Sequence, residues 1–159
     1  MPWREVPVRA WFAALALGAF GLVAAGMELQ NLVRLAPCPL CIFQRVLYMV
    51  IGLVALLGAF APAGRSLWAV SIALTATGGA AVAGYQTWMQ AFPHLATECG
   101  YSDPNAVERL VEWLGMQWPS LFLATGFCSG RDWEFLGLSL ANWSLLTFGG
   151  IAGYAALLF

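Results

Sequence analysis

Cys38-Pro39-Leu40-Cys41 opens a stretch, continuing Ile42-Phe43-Gln44-Arg45, whose residue types and spacing suit the movement of electrons through sulfur. Two cysteines with two residues between them can close a small disulfide that opens readily. Pro39 suits the first turn of a helix, which makes Cys38 the expected N-cap and puts Cys41 within that turn. Arg45 follows Cys41 by four positions, so on a continuing helix it lies one turn below that sulfur on the same face. A Cys41 thiolate so placed gains from the helix N-terminus and from a permanent cation.

Cys99 and Cys128 bring the count to four cysteines. In an oxidising compartment an even number suggests two bridges, with three connectivities open. Structural zinc usually takes two closely spaced pairs, and Cys99 lies far from Cys128. Haem attachment requires His directly after Cys41, where Ile42 stands. A purely structural bridge usually closes a long loop, whereas Cys38–Cys41 closes almost nothing, so this pair reads as redox-active. A bridge between Cys99 and Cys128 would tether a loop by its two ends and contribute roughly 3–4 kcal/mol. Alone, that reads as structural. Beside a reactive pair on the same side of a membrane, thiol–disulfide exchange between the pairs becomes available.

The elements that must position these cysteines are set by composition. Of 159 residues, 61% are hydrophobic and 9% charged, against roughly 25% charged in a soluble domain. A chain of this length cannot enclose that much apolar surface in one core, so lipid must be its solvent. There is no Lys and the net charge is −1, which leaves no footprint for nucleic acid. Four long apolar segments, uncharged over Ala10–Met27, Val46–Gly64, Ser66–Pro93 and Phe135–Phe159, place helices at roughly 10–29, 41–62, 66–91 and 137–158, with loops at 30–40 and 92–136. The first apolar run exceeds the usual 7–15-residue core of a signal peptide, so a retained helix is expected. Small residues four apart, Gly79/Ala83 and Ala80/Gly84 in the third segment and Gly149/Gly153 in the fourth, are the pattern that lets membrane helices approach closely. The expected fold is an all-α membrane protein, a single domain over 1–159 built as a four-transmembrane-helix bundle.

The second long loop is acidic and holds one further helix. Asn105 with Glu108 resembles a capping box, and Val107, Leu110, Val111 and Leu114 follow at helical spacing. With Trp113 and Trp118 at its end, this short helix is expected to lie along the bilayer surface. Four spans put both termini on one side and all four cysteines on the other. Arginines are divided between the two sides and do not orient the chain. The acidic loop and the persistence of disulfides outside the cytosol place the cysteines outside and the termini in the cytoplasm.

The pattern Cys-x-x-Cys-Ile-aromatic-x-Arg opening the second of four membrane helices resembles the bacterial DsbB family, the disulfide bond formation protein B group. So does Phe127-Cys128 through Trp133-x-Phe135-Leu136-Gly137-Leu138 leading into the last helix. The resemblance covers essentially the whole chain and implies a thiol:quinone oxidoreductase of the bacterial inner membrane, with the long loop periplasmic. It further implies that a DsbA-like periplasmic thiol oxidase attacks a Cys99–Cys128 disulfide and is held through Cys99. Cys128 would then attack Cys38, and Cys41 would pass electrons to a ubiquinone or menaquinone bound beside it. Arg45 would stabilise the thiolate and the charge developing on the quinone. Gln44 stands where some relatives carry an acidic residue, and Gln86 and Trp88 are weaker candidates for quinone contacts. His94 is the sole histidine and reads as an interfacial residue or a proton shuttle. The reading from another class is a small membrane adaptor with two structural extracytoplasmic disulfides.

Overall fold

The computed structural model describes residues 7–94 and 104–157; Cys99 and the Gly100–Asp103 segment after it lie outside the described residues. Among the described residues six helices follow in order: α1 (Val8–Val33), α2 (Pro39–Phe60), α3 (Arg65–Ala91), α4 (Ala106–Gln117), α5 (Pro119–Phe122) and α6 (Leu140–Leu157). A single 3₁₀ turn, Pro62–Gly64, joins α2 to α3. Strands β1 (Glu134–Phe135) and β2 (Leu138–Ser139) form an antiparallel hairpin before α6.

Three helices, α1, α2 and the Pro62–Ala91 segment containing α3, are long and apolar enough to cross a membrane. Helix α6 carries no charge over its length and packs along α3, while α2 lies between α1 and α3. These four long helices form one bundle around Phe12, Ile51, Ile72, Ala76 and Phe148. Hydroxyls along these helices satisfy themselves: Ser71, Thr75, Thr77 and Thr147 each donate to the carbonyl four residues back. That is how a polar side chain is accommodated where water is absent.

Local chemistry accounts for the ends of the elements. Cys38 is the N-cap of α2, with Pro39 in the first turn, and its sulfur accepts the Cys41 N–H. Asn105 and Glu108 form a reciprocal capping box at the start of α4. Helix α1 runs beyond the expected end because Arg34 closes it in the left-handed region, and the Leu35 N–H also donates to Gln30 O. Helix α6 begins three residues later than expected, because residues 134–139 fold into the hairpin. Its turn takes Leu136 and Gly137 at φ 54° and 76°, the positive values that a two-residue hairpin turn of the primed type demands.

The small-residue pattern is half right. A Cβ on Gly79 would stand 2.5 Å from Phe148, so this glycine is what lets α6 seat its ring against α3. Gly149 and Gly153 have nothing within 4 Å and face outward, and α6 instead packs through Ala141, Phe148, Ile151 and Ala155. Spacing signals closeness only if that face meets a neighbour. Helix α4 rests on the start of α2 through Val107, Val111 and Leu114, with Ile42 beneath. It leaves Leu110, Trp113 and Met116 exposed.

Phe148 is itself stacked on Tyr48 at 4.1 Å, so it has little freedom to yield. Gly79→Val should therefore lower stability by about 1–3 kcal/mol, the usual scale for overpacking, read as a lower melting temperature in detergent. Gly149→Val should leave the melting temperature unchanged.

Candidate redox site

The site is built where the start of α2 meets two loops. Thr125 and Gly126 both donate their backbone N–H to Pro37 O, at 2.9 and 3.0 Å. The chain can approach that closely because residue 126 is glycine: a Cβ there would fall 2.0 Å from Ala36 O. Beyond Cys128, Gln90 Nε2 donates to Gly130 O at 2.9 Å, and Ser139 Oγ donates to Gln90 Oε1 at 2.6 Å. The segment carrying Cys128 is thus held on both sides, against the loop before Cys38 and against α3.

The result is a buried cluster of Cys38, Cys128, Leu40 and Met89, with Cys41 beside it. Cys38 Sγ lies 3.1 Å from Cys41 Sγ and donates to it, so the two sulfurs are in contact without being bonded. Hydrogen bonds with Cys128 and Cys41, together with burial, push the Cys38 thiol well above its ordinary pKa, and Cys38 keeps its proton. Cys41 is the more open of the pair.

Cys41 borders a cavity of about 200 Å³. Leu22, Val23 and Gly26 of α1, Tyr48 of α2, Leu140 of α6 and Trp133 of the loop supply its apolar walls. Arg45, one turn along α2 from Cys41, lines the same cavity, as the helical spacing anticipates. Its guanidinium is fixed by two acceptors that spacing could not reveal: Nη2 donates to Gln30 Oε1 at 2.8 Å, and Nη1 donates to Leu121 O of α5. A second opening lies between α1 and α6, lined by Leu15, Gly18, Leu22 and Thr147, and shares Leu22 and Thr147 with the cavity.

Of the weaker candidates, Gln86 reaches the sulfurs, donating to Cys41 Sγ at 3.1 Å and to Cys38 Sγ at 3.4 Å. Its own Oε1 accepts from Gln44 Nε2 at 2.7 Å. Trp88 stacks on Tyr85 outside the cavity, and His94 is exposed away from it. Cys99, the remaining cysteine, lies outside the described residues. No group of three or more potential metal-binding side chains occurs among the described residues.

This placement makes a concrete demand. In a Cys41→Ser/Cys99→Ser background, mild oxidation should join Cys38 to Cys128 as the dominant product on mass spectrometry. Adding Gly126→Ala, which forces the loop off Ala36, should slow that cross-link roughly 10- to 100-fold, the effect of misplacing reacting groups by about 1 Å.

Comparison with known proteins identifies the family. The profile of the family described as "Disulfide bond formation protein DsbB" matches residues 8–158. A protein of Dechloromonas aromatica (strain RCB) named "Disulfide bond formation protein B" is 68% identical over 155 residues, covering 98% of this chain and 94% of its own length. Relatives of the same name from Azoarcus sp. (strain BH72) and Nitrosomonas europaea are 42% and 40% identical, over 91% and 95% of this chain and 87% and 93% of their own lengths. With the sulfur cluster and its apolar cavity at the head of one bundle, and with relatives this similar over nearly the full length, the chain belongs to the DsbB family.

Proposed function

We propose that this chain is a thiol:quinone oxidoreductase that withdraws electrons from a DsbA-like dithiol oxidase and delivers them to a membrane quinone, with new disulfide bonds as the product. The observation that carries the reading is the position of three sulfurs: Cys128 against Cys38, and Cys41 on the side of an apolar cavity holding a fixed guanidinium.

In this reading the partner's thiolate attacks a Cys99–Cys128 disulfide at Cys99 and frees Cys128. The Cys128 thiolate attacks Cys38 Sγ, the Cys38–Cys41 bond breaks, and Cys41 leaves with the electron pair. The burial of Cys38 and the greater openness of Cys41 support that order, since the leaving sulfur is the more accessible of the two that line the cavity. A quinone, ubiquinone or menaquinone, supplies an acceptor of two electrons and two protons when bound there. The site fits a flat apolar ring: Leu22, Val23 and Gly26 would wall it, and Arg45 would hold its oxygen side. Gln30 and Leu121 O keep the guanidinium in place without neutralising it, since neither carries a charge. The slot between α1 and α6, with its mostly apolar lining, would receive an isoprenoid tail.

The same reading places the chain in a bacterial inner membrane, with both termini cytoplasmic and the cysteines periplasmic. The start of α2, the hairpin and α4 gather at one end of the bundle with the acidic loop, and disulfides persist on the oxidising side. The exposed Leu110, Trp113 and Met116 of α4 suit a helix resting on the headgroups. An adaptor with two structural disulfides is not favoured, because a bridge between Cys38 and Cys41 constrains almost no chain and opens onto a cavity.

The test uses detergent-purified protein, reduced DsbA and a quinone, with quinone absorbance followed over time. Cys41→Ser should abolish quinone reduction, and unchanged reduction in that variant overturns the proposal. Arg45→Ala should raise the quinone KM or lower kcat by roughly 10- to 100-fold, the scale of removing one preorganised electrostatic contact.

A further inference from the structure

Among the described residues, three polar side chains are buried: Gln44, Gln86 and Ser139. Ser139 serves the loop, through Gln90. The two glutamines instead meet each other, Gln44 on α2 and Gln86 on α3. Gln86 continues the buried stripe Ala69, Ile72, Ala76, Gly79, Ala83 of α3, and Gln44 heads the buried stripe of α2 that continues with Tyr48, Ile51 and Ala55. An aliphatic residue at either place would extend an apolar seam, and a buried amide is tolerated only when its groups are partnered.

Their partners define a direction. Gln44 Nε2 donates to Gln86 Oε1, which turns the Gln86 –NH₂ group away from Gln44 and onto Cys41 and Cys38. The opposite orientation would set the Gln86 oxygen against the sulfur of Cys41, two acceptors facing each other. Cys41 Sγ then has the Cys38 S–H and the Gln86 N–H directed at it, with Arg45 lining the same cavity.

We propose that Gln86 is a catalytic residue of the sulfur relay, its amide N–H stabilising the Cys41 thiolate as that sulfur leaves, and that Gln44 is the positioning residue that aims it. The proposal rests on the relay described above. When the Cys128 thiolate attacks Cys38 Sγ, the Cys38–Cys128 bond forms, the Cys38–Cys41 bond breaks, and the electron pair of the broken bond goes to Cys41; one disulfide replaces another with no net oxidation. The negative charge moves from Cys128 to Cys41, onto the atom at which Gln86 already points. Because both amides are neutral, the donor is present whatever the protonation of the surrounding groups.

The experiment uses the full chain in detergent, without quinone or partner protein. Gln86→Met, Gln44→Met and the double variant keep chain length and apolar packing while removing the amides. Two quantities are read: the alkylation rate of reduced Cys41 at neutral pH, located by mass spectrometry, and the equilibrium of the Cys38–Cys41 disulfide with a dithiol redox buffer. Gln86→Met should slow alkylation about tenfold and shift the equilibrium towards the disulfide by a similar factor, as expected for losing one hydrogen bond to a charged sulfur. Gln44→Met should give a smaller change of the same sign, and the double variant should match Gln86→Met, because Gln44 acts only through Gln86. An unchanged alkylation rate in Gln86→Met, or a double variant whose loss is the product of the two single losses, overturns the proposal. If Gln86→Met does not fold, Gln44→Met decides, and an unaltered rate there overturns it. A failure of quinone reduction in the assay of the preceding section would leave these thiol measurements untouched, so the two readings fail separately.

Discussion

The contact between the Cys38 sulfur and the Cys41 N–H governs the architecture of this end of the molecule. It makes one cysteine the cap of a helix and the other part of its first turn, so both sulfurs are placed by the same backbone that starts the span. Every other part of the site is positioned relative to that start. The loop carrying Cys128 docks on Pro37, the residue before the cap. Arg45 lies one turn further along, and α4 packs over the same turn through Val111 and Ile42. A helix with a different start would carry all of these away together.

Short-range chemistry was legible in the chain, and long-range meeting was not. The Cys38 cap and the Asn105–Glu108 box depend on residues three apart, and the spacing alone announces them. Arg45 could be placed on the face of Cys41 by counting, yet its anchors, Gln30 and Leu121, are 15 and 76 positions away. Gln86 could be suspected as a polar residue near the outer end of an apolar helix; its link to Gln44, 42 positions earlier, could not. Gly149 and Gly153 show the converse failure, since a pattern of small residues carries no information about which face meets a neighbour. Gly126 gave no signal at all, because what it accommodates is a carbonyl from a separate loop.

The amide pair is read from the packing of α2 against α3 in this chain. A carboxylate at position 44 would turn the neighbouring amide around, because it accepts where Gln44 donates. The two positions therefore form one unit, and the character of the donor offered to sulfur depends on both. The surroundings of Cys41 combine a neutral donor with a fixed cation lining the same cavity. In the proposed relay that combination would stabilise a thiolate while keeping the cation available to a second acceptor in the cavity.

The clamping of the Cys128 segment between Pro37 and Gln90 has a kinetic meaning. Two thiols on free loops meet at a frequency set by the length and stiffness of the chain between them, and most encounters are misaligned. Here the search has been completed during folding, so the sulfurs face each other at an effective molarity far above any that the cell could supply in solution. In the proposed relay, passage of a disulfide between the two loops would then be first-order in this protein alone, indifferent to how crowded or dilute its partners are.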